Sequence, residues 1–397
     1  MARSQIPAFN YDNDKVRGVN LGGWFVLEPY MNPSMFEIFD PNNIPLDEYH
    51  YCEHLGKDMA LSILEKHWDS WIQESDFQQL QDWGFNTVRI PIGYWAFIAR
   101  PQDPYVQGQE QYLTRAIGWA RNHNIKVWID IHGLPGSQNG FDNSGQRDVI
   151  DWLNPQYPEN VQDTYTALQA VVDLYGGDDY LDVVSGIELV NEPLGPAIGM
   201  EGVIDYFKGG YNVVRQKGPQ GVVVHDAFMP IGYFNDILQP PNYWNVVLDH
   251  HQYQVFSPGE LSRSIDDHIQ VACGIGRSMG SENLWRVTGE WSAALTDCAK
   301  WLNGVYRGAR YDATYQSSQY LGSCAGANDV SQWDETRKQN TRRYVEAQLD
   351  AYEQGSGWIF WSYKTESAVE WDLCQLMNNG MFPYPLTYRQ YPNQCGF

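Results

Sequence analysis

The 397-residue chain has no stretch of about 18 consecutive apolar residues, which excludes a membrane-spanning helix. No pair of its six cysteines has zinc-ligand spacing such as C-x-x-C, and H-E-x-x-H is missing, so the usual metal-centre motifs are absent and no metal is expected. No G-x-G-x-x-G follows an early strand, which argues against a dinucleotide-binding sheet. Gly136-Ser137-Gln138-Asn139-Gly140 is not the G-x-S-x-G of a serine hydrolase and reads better as a polar loop. Internal repeats, low-complexity tracts and linkers rich in Pro, Gly or Ser are also lacking, which leaves one domain as the economical reading. Basic residues are scarce: 26 Lys and Arg stand against 49 Asp and Glu, a net charge of −23. That field repels phosphate backbones and anionic lipid, so neither nucleic acid nor membrane insertion is expected. A neutral polymer is compatible with it, and so is plain solubility.

What the chain does have is apolar and aromatic mass. Hydrophobic residues make up 43%, enough for a large core, and there are 16 Trp and 26 Tyr. Aromatic faces pack against sugar C–H faces or against each other in a core, and composition does not choose. The cysteines at 52, 273, 298, 324, 374 and 395 are even in number and lean toward disulfides in an oxidising compartment. Fifteen pairings are open to six cysteines. The start, Met1-Ala2-Arg3-Ser4-Gln5-Ile6-Pro7, lacks the apolar core of a signal peptide, as expected of a cytoplasmic protein or of a processed form.

Eight β-rich runs recur at Val16–Trp24, Asn86–Ile92, Lys126–Gly133, Val183–Glu192, Gly221–Asp226, Asn245–Tyr253, Arg286–Trp291 and Trp358–Lys364. Helical patterns fall at Trp68–Trp83, Gln109–Asn124, Asn160–Tyr175, Gly202–Lys217, Glu260–Gly274 and Thr336–Gln354, with a short fifth crossover at Ile231–Leu238. Alternation of this kind predicts parallel βαβ units, and eight of them predict a closed (β/α)8 TIM barrel over residues 1–397, with 1–15 as an N-terminal extension.

In such a barrel, ligands bind at the C-terminal strand ends. Polar residues cluster there: Arg89, Asp130, His132, Asn191, Glu192, His251, Tyr253 and Glu290, with Trp361. Glu192 and Glu290, on strands four and seven across the mouth from each other, suit cleavage of a glycosidic bond, in which one carboxyl group donates a proton and the other attacks carbon one. Arg89 lies in an apolar strand and requires an anionic partner; Glu290 is the natural one, its pKa held down by the guanidinium. In Leu248-Asp249-His250-His251-Gln252-Tyr253, alternation puts Asp249, His251 and Tyr253 on one face and His250 on the other. His132 is either a satisfied core histidine or a ligand contact.

Val16-Arg17-Gly18-Val19-Asn20-Leu21-Gly22-Gly23-Trp24, Val88-Arg89-Ile90-Pro91, Asn191-Glu192-Pro193 and Gly289-Glu290-Trp291-Ser292 together resemble glycoside hydrolase family 5. More narrowly, Gly136–Gly145, His250–Phe256, Gly289–Arg310 and the ending Pro392–Phe397 resemble its fungal exo-β-1,3-glucanases. The resemblance implies a secreted, monomeric, cofactor-free retaining enzyme that releases glucose from non-reducing ends of β-1,3-glucan, with some transfer to sugar acceptors. It implies that Glu192 is the acid/base and Glu290 the nucleophile, and that Arg89, His132, Asn191, His251, Tyr253 and Trp361 complete the site. It also implies that Glu28, Asp142, Asn303 and Arg307 bind the terminal glucose, that Phe141 and Phe256 clamp the next sugar, and that Cys273–Cys395 and Cys298–Cys324 pair. Cys52 and Cys374 depart from the group's pattern and form a third disulfide or stay free; Gly274–Asn283 departs too, which bears on the outer subsites. An endo-β-glucanase, a β-1,6-glucanase and a non-catalytic glucan-binding protein are the competing readings.

Overall fold

Runs of β-branched residues form eight parallel strands: β1 (Val16–Asn20), β2 (Thr87–Gly93), β3 (Lys126–Gly133), β4 (Val184–Glu188), β5 (Gly221–His225), β6 (Val246–Gln252), β7 (Trp285–Trp291) and β8 (Gly357–Phe360). In this computed structural model, which describes residues 9–397, they close in sequence order into a barrel, with Val16 of β1 paired to Gly357 of β8. The first eight residues of the expected N-terminal extension lie outside the described residues.

Strand alternation sorts the side chains into two environments. Outward residues such as Val88, Ile90, Val127, Ile129, Ile187, Val222, Leu248 and Phe360 pack in the main core with the surrounding helices. Inward residues at the N-terminal end, Val16, Trp128, Val223, Val247, Val287 and Ile359, form a separate apolar plug. Tyr11 closes that plug and its hydroxyl accepts from Trp128 Nε1 at 3.2 Å, so this part of the extension belongs to the barrel floor. Toward the C-terminal end the inward layer turns polar, with Asn20, Arg89, Asp130, Glu188 and Asp249 all buried.

Several boundaries differ from the sequence reading. β1, β4 and β8 stop four residues short of their expected ends. Beyond the last ladder pair, single backbone bonds still hold the chain to the rim: Leu21 N to Arg89 O, Asn191 N to Ile131 O and Trp361 N to Trp291 O. The helix expected at Trp68–Trp83 is two helices, Lys57–Ser70 and Glu74–Trp83. The Trp68 carbonyl accepts from Trp24 Nε1 and Trp71 Nε1 donates to Gly22 O, while extended Gln73 starts the second helix with a capping box to Asp76. The helix expected at Glu260–Gly274 runs Ile265–Met279, because Ser264 and Asp267 build its capping box. The fifth crossover holds only a short turn of helix, Tyr233–Asp236.

The disulfides Cys273–Cys395 and Cys298–Cys324 form as the resemblance implies, and Cys52 and Cys374 are free.

Candidate active site

The polar layer is organised around Arg89, which is fully buried. Its Nε donates to Glu188 at 2.6 Å, Nη1 to Asn20 and Glu290 at 3.0 Å each, and Nη2 to Asn191 at 2.8 Å. Asp130 lies 3.1 Å from Nη2 and Asp249 3.8 Å from Nε. One guanidinium is therefore shared by four carboxylates. Glu290 receives part of its charge, and Tyr253 adds an O–H donor to the other Glu290 oxygen at 2.8 Å.

His251 links the two glutamates. Its Nδ1 is 2.8 Å from Glu192 Oε1 and 3.5 Å from Glu290 Oε2, so those oxygens are separated by no more than the sum of the two distances. Nε2 faces Asp249 at 3.3 Å, and Asp249 also accepts from Gly289 N at 2.7 Å. The β6–β7 register shifts here, so that His250 is opposite Thr288 but His251 is opposite Glu290. The irregularity needs a glycine, since a Cβ at Gly289 would stand 2.1 Å from Asp249 Oδ1.

Glu192 lies four residues past the end of β4 with φ 46°, a left-handed conformation that costs free energy in a non-glycine residue. The Gly136–Gly140 loop and the turn that follows it hold it there. Asn139 Nδ2 donates to the Glu192 carbonyl at 3.1 Å, Gln138 Nε2 to the Asn191 carbonyl at 2.8 Å, and Asn143 Nδ2 to Glu192 Oε2 at 3.0 Å. His132 is fixed by Asp130 at 2.5 Å and stacks against Trp361 with ring centroids 5.6 Å apart. His132 Nε2 and Asn191 Nδ2 are buried without a protein partner among the described residues. Both are polar groups suited to sugar hydroxyls.

The electrostatics differ from expectation. Burial, aided by the Glu192 charge, raises the Glu290 pKa above the ordinary carboxylate value against the opposing effects of His251 and Arg89. Arg89 alone does not hold Glu290 down, because its charge is divided among Glu188, Asp130 and Asp249 as well. Burial would raise Glu192 too, but the hydrogen bond and charge of His251 outweigh it and lower Glu192 to about 2. His251 itself is raised well above 6.5: burial opposes its charge, and Glu290, Asp249 and Glu192 overcome it. The resting proton thus sits on His251, between two carboxyl groups.

Two clusters bring potential metal-ligating atoms within 4.8 Å of one another: Glu192, His225 and His251, and Glu188, Asp249 and His251. Protein cations already serve both. Arg89 lies among the second set, and protonated His251 belongs to each, while His225 Nδ1 accepts from Ala227 N at 2.9 Å.

A family profile for "Cellulase (glycosyl hydrolase family 5)" matches residues 52–367, a span that includes both glutamates. The chain belongs to glycosyl hydrolase family 5. It is a glycoside hydrolase. It is 57% identical over 395 residues to glucan 1,3-beta-glucosidase 2 of Wickerhamomyces anomalus, covering 98% of this chain and 92% of that one. It is 56% identical to a glucan 1,3-beta-glucosidase of Yarrowia lipolytica (98% and 93% covered) and 52% identical to glucan 1,3-beta-glucosidase I/II of Saccharomyces cerevisiae (98% and 90%). Among solved structures, Aspergillus niger rutinosidase superposes with a TM-score of 0.73 at 19% identity, covering 94% of this chain and 99% of that one, a likeness of fold.

In this family 5 barrel, the residues singled out from sequence fall into three groups. Arg89, His132, Asn191, Glu192, His251, Tyr253, Glu290 and Trp361 meet at the mouth through the contacts above. Glu28 is buried close enough that Asp142, Glu290 and Glu192 add to the burial that raises its pKa well above the ordinary value. Asp142 is likewise raised by burial, to about 7, with Arg147 opposing. Phe141 and Phe256 are exposed at the rim; Phe141 meets Phe228 edge-on at 6.3 Å, and Phe256 leans on Tyr253 and Trp371. Asn303 and Arg307 are engaged within the protein. Asn303 donates to Asp297 and Gly308 O and accepts from Arg310, and Arg307 pairs with Asp148 at 2.7 Å. Sequence reasoning missed Glu188, Asn20, Asn143, His225 and Phe228. Strand parity could have found Glu188, which lies one inward step from Gly186 on β4.

Proposed function

We propose that the protein is a secreted, monomeric, retaining exo-β-1,3-glucanase that releases glucose from non-reducing ends, with Glu290 as nucleophile and Glu192 as acid/base. The observation that carries the mechanism is the shared contact of His251 Nδ1 with both carboxylates, 2.8 and 3.5 Å away. It keeps the nearest oxygens closer than the roughly 6.5–9.5 Å that an inverting site needs for its water. The substrate reading is supported by relatives at 52–57% identity named as glucan 1,3-beta-glucosidases. Two disulfides suit an oxidising compartment.

In the first half-reaction a Glu290 oxygen attacks carbon one from the face opposite the leaving oxygen. The C–O bond breaks as Glu192 delivers a proton to that oxygen, and a glycosyl ester forms on Glu290. The proton comes from His251 by way of the 2.8 Å contact with Glu192 Oε1. Neutralising Glu192 removes the like charge that raises Glu290 and so favours the carboxylate form to which Arg89 and Tyr253 donate. In the second half-reaction Glu192 takes a proton from water, or from a sugar hydroxyl in transfer, as the oxygen displaces Glu290 to give the β-anomer, and that proton passes back to His251 across the same contact. Glu28 and Asp142, with carboxyl groups kept protonated more readily than usual, offer donors to the terminal glucose. Arg307 and Asn303 close the far end of the pocket by tying its loops together, and Phe141 and Phe256 flank the next sugar.

Product analysis on laminarin with the anomer followed by NMR tests this. Glucose as sole early product, first as the β-anomer, is expected. A ladder of oligosaccharides means endo action, α-glucose means inversion, and binding without product means a glucan-binding protein. Glu290→Gln is expected to abolish turnover. Glu192→Gln is expected to cost roughly 10²–10⁴-fold on β-glucan while sparing substrates with good leaving groups; equal loss on both would remove Glu192 from its role.

A further inference from the structure

His250 faces away from the catalytic groups, yet it is one of the most tightly held side chains around them. It is buried on the outer side of β6, with Nδ1 2.8 Å from Asp226 Oδ2 and Nε2 2.8 Å from Glu282 Oε2. Both ring nitrogens face carboxylates, so both carry protons and the ring is an imidazolium. Burial opposes that charge, but the bonds to Asp226 and Glu282 overcome it and raise the pKa to about 10.

The two carboxylates pin the ends of one turn. Asp226 directly follows β5; its other oxygen accepts from Phe228 N at 2.8 Å, and its own N–H donates to Asp249 O. Glu282 accepts from Gly232 N at 3.0 Å, and its neighbours Ser281 and Asn283 bond to Asn235. Between these anchors, Ala227 and Phe228 are both left-handed, with φ 53° and 60°. Two consecutive non-glycine residues in that region persist only where the surroundings impose it. The result is that Phe228 stands at the rim, edge-on to Phe141 at 6.3 Å and to His225 at 5.3 Å. Glu282 lies in Gly274–Asn283, the stretch where the sequence departs from the group it resembles.

From this geometry we infer that His250 is a positioning residue for leaving-sugar recognition: clamped between Asp226 and Glu282, it fixes the β5 exit turn and so sets where Phe228 stands at the mouth. The inference rests on the β-1,3-glucan reading of the site. It assigns Glu282 to the same device and gives the divergent segment a part in the outer subsites.

The test compares laminaritriose, whose leaving sugars reach the rim, with β-D-glucosyl fluoride, whose leaving group is one atom. His250→Gln is expected to lower kcat/KM about tenfold on laminaritriose, mainly through KM, the size of one aromatic contact, and less than about twofold on the fluoride. Combined with Phe228→Ala, it is expected to be no worse on laminaritriose than Phe228→Ala alone, since both remove one wall. If His250→Gln yields no folded protein, Glu282→Gln supplies the same comparison, with the same split between substrates. Equal losses on the two substrates, or additive losses in the double variant, overturn the inference while leaving the β-1,3-glucan reading standing. Wild-type protein that turns over the fluoride but not laminaritriose overturns that reading and the inference with it.

Discussion

At the scale of single residues, the site depends on a few atoms with no spare room. Gly289 is the tightest case, because a methyl group there would collide with the Asp249 carboxylate that orients His251. Gly289→Ala is expected to destabilise the fold by about 1–3 kcal/mol and to lose most activity, read by thermal melting and turnover. Tyr253 gives a subtler test. Its hydroxyl donates to Glu290 and favours the ionised form of that carboxyl. In the mechanism proposed above attack requires that ionised form, so activity is expected to fall as pH drops through the raised Glu290 pKa. The proton needed on the acid side is held by His251, whose raised pKa keeps it in place at low pH and releases it as pH climbs. A bell-shaped profile follows, and Tyr253→Phe is expected to move its acid limb up by about one pH unit, leaving the alkaline limb where it was. The sequence exposed Glu192, Glu290, Arg89, His251 and Tyr253 because strand parity and strand-end position suffice for them. Asn143 was hidden because a loop places it, and His225, although it ends β5, gains its part only through the ring contact with His251 on the neighbouring strand.

At the scale of elements, the loops above the barrel decide the shape of the pocket. The stretch after β3 holds Glu192 from one side, and the long irregular connection after β7 meets it through Arg307 with Asp148 and Arg147 Nη1 with Val305 O. Both Arg307 and Asp148 are exposed, so their pair is worth about 0–1 kcal/mol. Arg307→Ala is therefore expected to leave the melting temperature nearly unchanged while raising KM for laminari-oligosaccharides and admitting some internal cleavage. A large drop in stability with unchanged KM would reduce Arg307 to a structural tie. The sequence predicts the existence and type of all eight strands and of the main helices, because periodicity reports local burial. It misplaces the break near Trp71, since the hydrogen bonds that end that helix come from Trp24 and Gly22, nearly fifty positions away.

At the scale of the whole molecule, closure of the barrel lets one arginine serve carboxylates from four other strands or their ends. Stability is reinforced at the chain end, where Cys273–Cys395 ties the helix Ile265–Met279 to the C-terminal segment across 122 positions. Replacing both cysteines by serine is expected to cost about 2–5 kcal/mol, seen in denaturant unfolding, with little change in kcat of the folded enzyme. The net charge of −23 opposes binding to anionic polymers, in keeping with an uncharged substrate.

The sequence by itself determined the barrel, the strand-end position of both glutamates and the inward face of β6, because these depend on periods of two and 3.6 residues and on strand order. Only the tertiary structure decided which charges prevail. Arg89 is divided among four carboxylates, the proton rests on His251, and Glu192 is held in a left-handed conformation by Asn139 and Gln138. These outcomes depend on burial and on distances of about 3 Å between residues far apart in the chain, and no local pattern encodes either.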